Sequence, residues 1–228
     1  MLRDPGDRKI PGPTVRARPR RTELPAGTEL WRVHSVRRTS TEFRTDPVDL
    51  HWGGGRFCYI RDELSPGPVP YTYVALSPLT AVCETLARDL VFHADGRRRI
   101  SYTRVADQLL SKVVTARDLP LVDLRGPAEL AAVRQTMWLV QSDADNYQRT
   151  RRWASWIRGQ APWSVGFRWQ SRQDFGPQGS DSCILYEPQN APPLLEPSPD
   201  PPLELHTPEG RAYLNDLLKP LRIRVDRR

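Results

Sequence analysis

An alternation of side-chain type over residues 28–36 gives the first clear structural prediction in the chain. Leu30, Arg32 and His34 fall on one face of a predicted strand, and two apolar side chains fall on the other. Apolar or alternating runs recur further along the chain and predict five more strands. These strands are expected at residues 71–77, 112–116, 119–124, 165–173 and 182–188.

Helical spacing of apolar side chains is clearest over residues 77–90, directly after one of those strands. Ser77 can cap this helix, and Pro78 occupies its first turn. The apolar stripe consists of Leu79, Val82, Cys83, Leu86 and Leu90. Glu84 lies beside the stripe in mid-helix, where a carboxylate either faces solvent or supplies the acid of an active site. Further helical patterns cover residues 101–110, 127–135, 143–159 and 211–221.

The order of these elements predicts an α+β fold, because it lacks the regular strand–helix alternation of a doubly wound sheet. The chain has 228 residues, of which 38% are hydrophobic, and this is enough for a single domain with a substantial core. We place this domain at residues 28–188. Residues 1–27 are rich in Arg and Pro and predict a disordered tail, and residues 189–228 predict a Pro-rich arm and a C-terminal tail.

The charge balance favours anionic ligands, because 34 Lys and Arg residues against 27 Asp and Glu give a net charge of +7. No apolar run approaches the ~18 residues of a membrane span, and the N-terminus lacks the apolar stretch of a secretory signal. Cys58, Cys83 and Cys183 are far apart in apolar surroundings, which indicates reduced core thiols in a cytoplasmic protein. The four histidines show no metal-ligand spacing, so we expect no metal site.

Two arginines could bind a phosphorylated ligand. Arg56 follows three glycines, among them Gly54 and Gly55, and such a turn can bring backbone N–H groups close to a phosphate. The same stretch also fits an ordinary glycine turn with a surface arginine, since it matches neither a P-loop nor a dinucleotide-binding fingerprint. Arg32 lies inside the first predicted strand, where it is either exposed on an edge or buried against an anion.

Ser171 lies near the end of the strand predicted at residues 165–173. No G-x-S-x-G elbow surrounds it, so a functional Ser171 would be a hydrogen-bonding serine rather than a nucleophile. The neighbouring Arg168, Trp169 and Arg172 leave open a second interpretation, in which this stretch belongs to a nucleic-acid-binding surface.

Taken in chain order, these segments resemble the RES-domain family. The resemblance rests on LWRV, GGGRF, ALSPLTAVCETL, GFRWQSR and CILYE, and it covers roughly residues 28–188. It implies a fold similar to that of ADP-ribosyltransferases, with a mixed β core and flanking helices. The family consists of bacterial toxins that degrade NAD and are usually encoded beside an Xre-type antitoxin.

The resemblance implies a catalytic set. By position, the family's arginine falls on Arg32, its glutamate on Glu84 and its serine on Ser171, with Ser155 and Ser164 as competitors for the last assignment. Glu84 would oppose the positive charge that develops on the ribose as nicotinamide leaves. Ser171 would hydrogen-bond the ribose or the attacking acceptor.

The resemblance also implies an NAD-binding set. Its members are Arg32, Gly54, Gly55, Arg56, Tyr73 and Ser171. The two arginines would hold the diphosphate while the glycines allow close approach, and Tyr73 would line the nicotinamide pocket. NAD is then a substrate, no separate cofactor is needed, and phosphate, water or a protein side chain is the acceptor.

Two other functions stay open from the sequence. One keeps the same pocket but transfers ADP-ribose to a protein, and the other is a non-enzymatic nucleic-acid-binding module that uses the basic segments. The expected partners of the enzyme are NAD and an Xre-type antitoxin, with neither a membrane nor a nucleic acid expected for this chain alone.

Overall fold

The chain folds around a large mixed β-sheet that contains nine of the described strands. The computed structural model describes residues 10–12, 14–45, 54–58, 60–61, 67–174, 180–187 and 191–226. The strands are β1 (Arg21–Leu24), β2 (Glu29–Ser35), β3 (Tyr71–Ala75), β4 (Arg98–Ile100), β5 (Gln108–Thr115), β6 (Leu119–Asp123), β7 (Gly166–Gln170), β8 (Asp181–Tyr186), β9 (Leu195–Pro197), β10 (Leu203–Glu204) and β11 (Ile223–Val225). The order across the sheet is β1-β6-β7-β8-β3-β2-β5-β10, with β9 also paired to β5, while β4 and β11 form a separate parallel pair.

Helices flank this sheet. They are α1 (Pro78–Val82), α2 (Tyr102–Val105), α3 (Pro127–Ala132), α4 (Trp138–Gln141), α5 (Tyr147–Gln160) and α6 (Pro208–Leu218). A π-helical turn, Cys83–Ala87, continues directly from α1. None of the described helices is long and apolar enough to cross a bilayer. The α+β class and the single domain predicted from the sequence are confirmed.

The core forms layers on both faces of the sheet, as the alternation along β8 shows. Ile184 joins an apolar layer with Trp153 of α5, whereas Cys183 and Leu185 join a second layer with Leu194 of the C-terminal segment. A further cluster packs α1 and the π turn against α6 and β11. The turn that carries Glu84 is thus anchored by its apolar neighbours.

The sheet is incomplete between β2 and β3. Strand β2 pairs with β5 along its whole length, but with β3 it shares only the Trp31–Ala75 position. Beyond that position, Tyr71 at the start of β3 exchanges backbone hydrogen bonds with Arg44 instead. The two strands therefore diverge, and a cleft opens between them.

The prediction that residues 1–27 form a disordered tail is wrong for β1. Arg21–Leu24 pairs antiparallel with β6, and Leu24 is buried in the core. The sequence did not predict this short strand, because its four residues include a single apolar side chain and so show no alternation.

The Pro-rich segment after residue 188 also belongs to the fold rather than to a separate arm. Strands β9 and β10 both pair with β5, and Leu205 and Leu214 are fully buried. The helix predicted at residues 101–110 is likewise too long, since residues 108–110 begin β5. Pairing with β2 prevails there over the local helical pattern.

Candidate active site

A cavity of about 380 Å³ occupies the cleft between β2 and β3. Residues 32–35 of β2 form one wall, and Tyr71 and Tyr73 of β3 contribute to the other. The glycine turn and the π turn complete the lining of the cavity. Six charged side chains line it, namely Arg32, Arg38, Arg44, Arg56, Arg88 and Glu84. Five guanidinium groups against one carboxylate make the described lining strongly cationic, as an anionic ligand requires.

Glu84 reaches this cavity from the π turn that follows α1. Ser77 starts the helix by accepting a hydrogen bond from the Thr80 backbone N–H at 3.0 Å, as the sequence predicted, and Pro78 follows it. Ser171, just beyond β7, donates its hydroxyl to Glu84 Oε1 at 2.7 Å. The same hydroxyl oxygen accepts a hydrogen bond from the Gln173 backbone N–H at 3.2 Å, so its proton is directed at the carboxylate.

Ser171 is fully buried and does not belong to the cavity lining. It lies behind Glu84, and its hydroxyl fixes the carboxylate rather than facing the open space. Neither of the two competing serines hydrogen-bonds Glu84 within the described part of the chain. Ser155 donates to the Arg151 carbonyl, and the buried Ser164 hydroxyl has no hydrogen-bond partner among the described residues.

The glycine turn lies in close contact with Tyr73. Gly54 has a positive φ of 78°, and a Cβ on Gly55 would lie 2.5 Å from Tyr73 Oη. The Phe57 backbone N–H donates to that same phenol oxygen at 3.0 Å. Burial raises the pKa of Tyr73 well above its usual range, and so does the Cys58 thiol. Gly53, the first glycine of the motif, lies outside the described residues.

Arg56 is buried, with only 2% of its surface exposed, so a surface arginine on a simple turn is ruled out. One of its terminal nitrogens donates to the Ser142 carbonyl at 3.1 Å, while its Nε has no hydrogen-bond partner in the described part of the chain. Burial lowers the pKa of Arg56, although Tyr147 and Glu84 act in the opposite direction. The guanidinium remains a cation at neutral pH, because arginine titrates so far above it.

Arg32 is also buried rather than exposed on an edge. It is 3% exposed and donates to the Ser40 carbonyl at 2.7 Å. Burial lowers the pKa of Arg32 to about 10, against the opposing effect of Glu42. Both arginines considered from the sequence thus contribute buried positive charge to the same cavity as Glu84.

The nucleic-acid surface considered at residues 168–172 is not formed. Trp169 is 1% exposed and packs against Phe57 and Tyr73, while Arg168 is paired with Asp181 at 2.7 Å. Arg172 donates to Asp143 at 2.7 Å. This stretch is a core strand with satisfied charges, so it offers no stacking platform for bases.

Sequence reasoning missed five cavity residues that carry charge or titrate, namely His34, Arg38, Arg44, Tyr71 and Arg88. His34 was placed correctly on the face of Arg32 but was given no role, and it lines the cavity with Nε2 2.8 Å from Ser111 Oγ. Arg88 lies four residues after Glu84, and that spacing was the available signal. Among the described residues no cluster of His, Cys, Asp and Glu could hold a metal ion.

Comparisons with known proteins give a similar fold and a matching family. One chain of the crystal structure of the M. tuberculosis MbcT–MbcA toxin–antitoxin complex is similar in fold, with a TM-score of 0.52 and 17% sequence identity. The similarity covers 83% of this chain and 92% of that one. No curated protein matches the sequence. The RES domain family model matches residues 29–207, which include every candidate site residue, and the chain therefore belongs to the RES domain family.

Proposed function

We propose that this protein is an NAD-degrading toxin that cleaves the nicotinamide–ribose bond and is neutralised by an antitoxin protein. Membership of the RES domain family and the fold shared with a chain of a toxin–antitoxin complex support the proposal. The observation that carries it is the Glu84 carboxylate, held by Ser171 at a cleft in which five guanidinium groups also line the wall.

The chemistry needs one negative group beside the reacting sugar. The C1′–N bond breaks, its electron pair stays on the pyridine nitrogen, and nicotinamide leaves as a neutral molecule. Positive charge then builds on the ribose ring, and the carboxylate of Glu84 opposes it. The acceptor oxygen forms the new bond to C1′, and when water is the acceptor one proton passes to solvent.

The remaining contacts would hold the substrate for this step. Arg32 and Arg56 would bind the diphosphate, since buried guanidinium groups form strong charge-assisted hydrogen bonds to phosphate oxygens. Gly54 and Gly55 would let the backbone approach the substrate closely. Tyr73 lines the same cavity and would lie against the nicotinamide ring.

Ser171 takes a different role from the one expected. Because its hydroxyl is buried and donates to Glu84, we assign it to positioning the carboxylate rather than to binding the ribose or the acceptor. The arrangement resembles the usual support of a catalytic group by a neighbouring hydrogen bond, which fixes direction without touching the substrate.

The charge of the cleft favours an anionic acceptor. Five guanidinium groups against one carboxylate leave a cationic surplus after the two negative charges of the NAD diphosphate have bound. We therefore propose that inorganic phosphate is an acceptor, with water as the alternative. Phosphate would attack through an unprotonated oxygen and give ADP-ribose 1″-phosphate, whereas water would give ADP-ribose.

The test is release of nicotinamide from NAD by the purified protein, with and without phosphate, in the wild type and in Glu84→Gln. We expect the variant to fold and to bind NAD but to lose about 100-fold or more in rate, the scale of one electrostatic contact to a transition state. Glu209→Gln, at an exposed position of α6, is the matched control and should retain full activity.

The products distinguish the possible acceptors. Phosphate-dependent formation of the sugar phosphate would identify a phosphorylase, free ADP-ribose a glycohydrolase, and a labelled protein band a protein ADP-ribosyltransferase. Wild-type rates in Glu84→Gln would refute the assignment of the carboxylate. Co-expression with an Xre-type antitoxin encoded by a neighbouring gene should restore the growth that the toxin arrests by depleting cytoplasmic NAD.

A further inference from the structure

Arg88 is a cavity-lining arginine to which the substrate contacts described so far give no role. It immediately follows the π turn, four residues after Glu84, and both side chains line the cavity. Its side chain is 17% exposed, so most of it is shielded from bulk solvent. A guanidinium in such a place needs an anionic or carbonyl partner.

The Arg88 guanidinium lacks hydrogen-bond acceptors among the described residues. Arg32 and Arg56 each donate to a backbone carbonyl, whereas the Arg88 side chain donates no hydrogen bond to any residue that the structure describes. Its Nε lies 3.7 Å from Asp89 Oδ2, an ion pair too long for a hydrogen bond. The terminal nitrogens are therefore available to a ligand in the cavity.

An aromatic ring holds the group in place. The Arg88 guanidinium lies 5.0 Å from the centroid of the Tyr147 ring, and Arg56 lies 5.6 Å from the same ring. Burial acts to lower the pKa of Arg88, but the effects of Tyr147 and Glu84 outweigh it and the pKa is raised. The side chain is thus a fixed cation beside the Glu84 carboxylate.

We propose that Arg88 binds the phosphate attached to the same ribose that reacts beside Glu84. This inference rests on the proposed cleavage of NAD. Glu84 and Arg88 are separated by four residues at the π turn and line the same cavity, which suits a carboxylate at C1′ and a guanidinium at the 5′-phosphate of one sugar. Arg32, on strand β2, would then serve the adenosine-side phosphate, and Arg56 keeps its contact with the diphosphate between them.

Substrates with different numbers of phosphates test this division. Nicotinamide mononucleotide carries only the phosphate assigned to Arg88, and nicotinamide riboside carries none. We expect Arg88→Met to lower kcat/KM for NAD and for the mononucleotide by about 10- to 100-fold, the scale of one charged hydrogen bond, and to leave the riboside within about twofold. Arg32→Met should affect NAD more than the mononucleotide. Arg152→Met, at an exposed position on α5, is the control.

A competition measurement tests phosphate binding by Arg88 without requiring turnover of nicotinamide mononucleotide or nicotinamide riboside. Ribose 5-phosphate should inhibit NAD cleavage by the wild type and by Arg32→Met with similar inhibition constants, and about 10-fold more weakly in Arg88→Met. Arg88→Lys, which keeps the charge without the planar fork, should give an intermediate effect and replaces the Met variant if that fails to fold.

The outcomes separate this inference from the proposed function. If the wild type releases no nicotinamide from NAD, the proposed function fails and this inference fails with it. If the wild type is active but Arg88→Met leaves the mononucleotide and ribose 5-phosphate unaffected, or weakens all three substrates equally, Arg88 does not bind this phosphate and only the inference is overturned.

Discussion

Gly55 offers a test of the cavity wall that does not depend on the reaction. A Cβ at this position would lie 2.5 Å from Tyr73 Oη, 2.8 Å from Cζ and 2.9 Å from Cε2, which are distances that real methyl groups do not adopt. The backbone of the glycine turn cannot easily move away from Tyr73, because two hydrogen bonds hold Gly55. The Gly55 N–H lies 2.8 Å from Cys58 Sγ, and the Gly55 carbonyl accepts from Arg151 Nε at 3.1 Å. Gly55→Ala must therefore displace the Tyr73 ring.

The expected cost follows from two losses. Forcing a methyl group into a packed core costs about 1–3 kcal/mol, and breaking the hydrogen bond from the Phe57 N–H to Tyr73 Oη costs about 0.5–1.5 kcal/mol more. The free energy of unfolding should fall by about 2–4 kcal/mol. For a chain of 228 residues this corresponds to a decrease in Tm of about 5–15 °C.

Thermal denaturation by circular dichroism measures this effect. Gly159→Ala is the matched control, because no atom lies within 4 Å of the added methyl group and the position is within helix α5. That substitution should raise stability by about 0.5–1 kcal/mol. Tyr73→Phe should relieve part of the cost of Gly55→Ala by removing the closest atom. A Gly55→Ala protein that melts within about 1 °C of the wild type would refute the contact geometry.

Two further predictions concern titratable groups. Burial, followed by the charge of Arg32, lowers the pKa of His34 below 6.5, so the folded protein resists its protonation. The contribution of neutral His34 to the free energy of unfolding is therefore fully present above pH 6.5 and should be lost as the pH decreases through the lowered pKa. Thermal melts from about pH 8 to 5 should show a smaller decrease in Tm for His34→Gln than for the wild type. If Tm depends on pH identically in both proteins, His34 is not the group responsible for the acid destabilisation. Burial raises the pKa of Cys83 and Cys183 to about 12, so a thiol reagent at pH 8 should label neither in the native protein and both after denaturation. Rapid labelling of either native thiol would show that these sites are open to solvent.

The sequence predicted the strands well where alternation was strong. β2 covers Glu29–Ser35 against a predicted 28–36, and the predicted face of Leu30, Arg32 and His34 is the buried one. Local alternation identifies a face but not its environment. The Arg32 guanidinium donates to the carbonyl of Ser40, in the loop after the strand. The residue pattern within the strand does not predict the position of that loop.

The candidate site was predictable in its residues but not in its connections. Glu84 and Arg56 were named from sequence, yet the turn that carries Arg56 is held by a helix almost a hundred residues away. Thr150 of α5 donates to the Arg56 carbonyl at 2.7 Å, and Tyr186 of β8 donates to the Phe57 carbonyl at 2.8 Å. Such long-range hydrogen bonds depend on the finished sheet, so the alternative of a surface glycine turn could not be rejected beforehand.

The π turn explains how an amphipathic helix places the Glu84 carboxylate at the cavity. The helix predicted at residues 77–90 ends at Ala87, so Leu90 lies beyond it; Leu79 and Leu90 are only partly buried, while Ala87 is fully buried. The wider Cys83–Ala87 turn shifts the register of the apolar face by inserting extra backbone into one turn. Its apolar residues still pack into the core, so the adjoining face, which carries Glu84, is held against the cavity where β2 and β3 separate. The irregular helix and the incomplete sheet are therefore two parts of one arrangement, in which a carboxylate is supported by core packing and opens onto a cleft of positive charge.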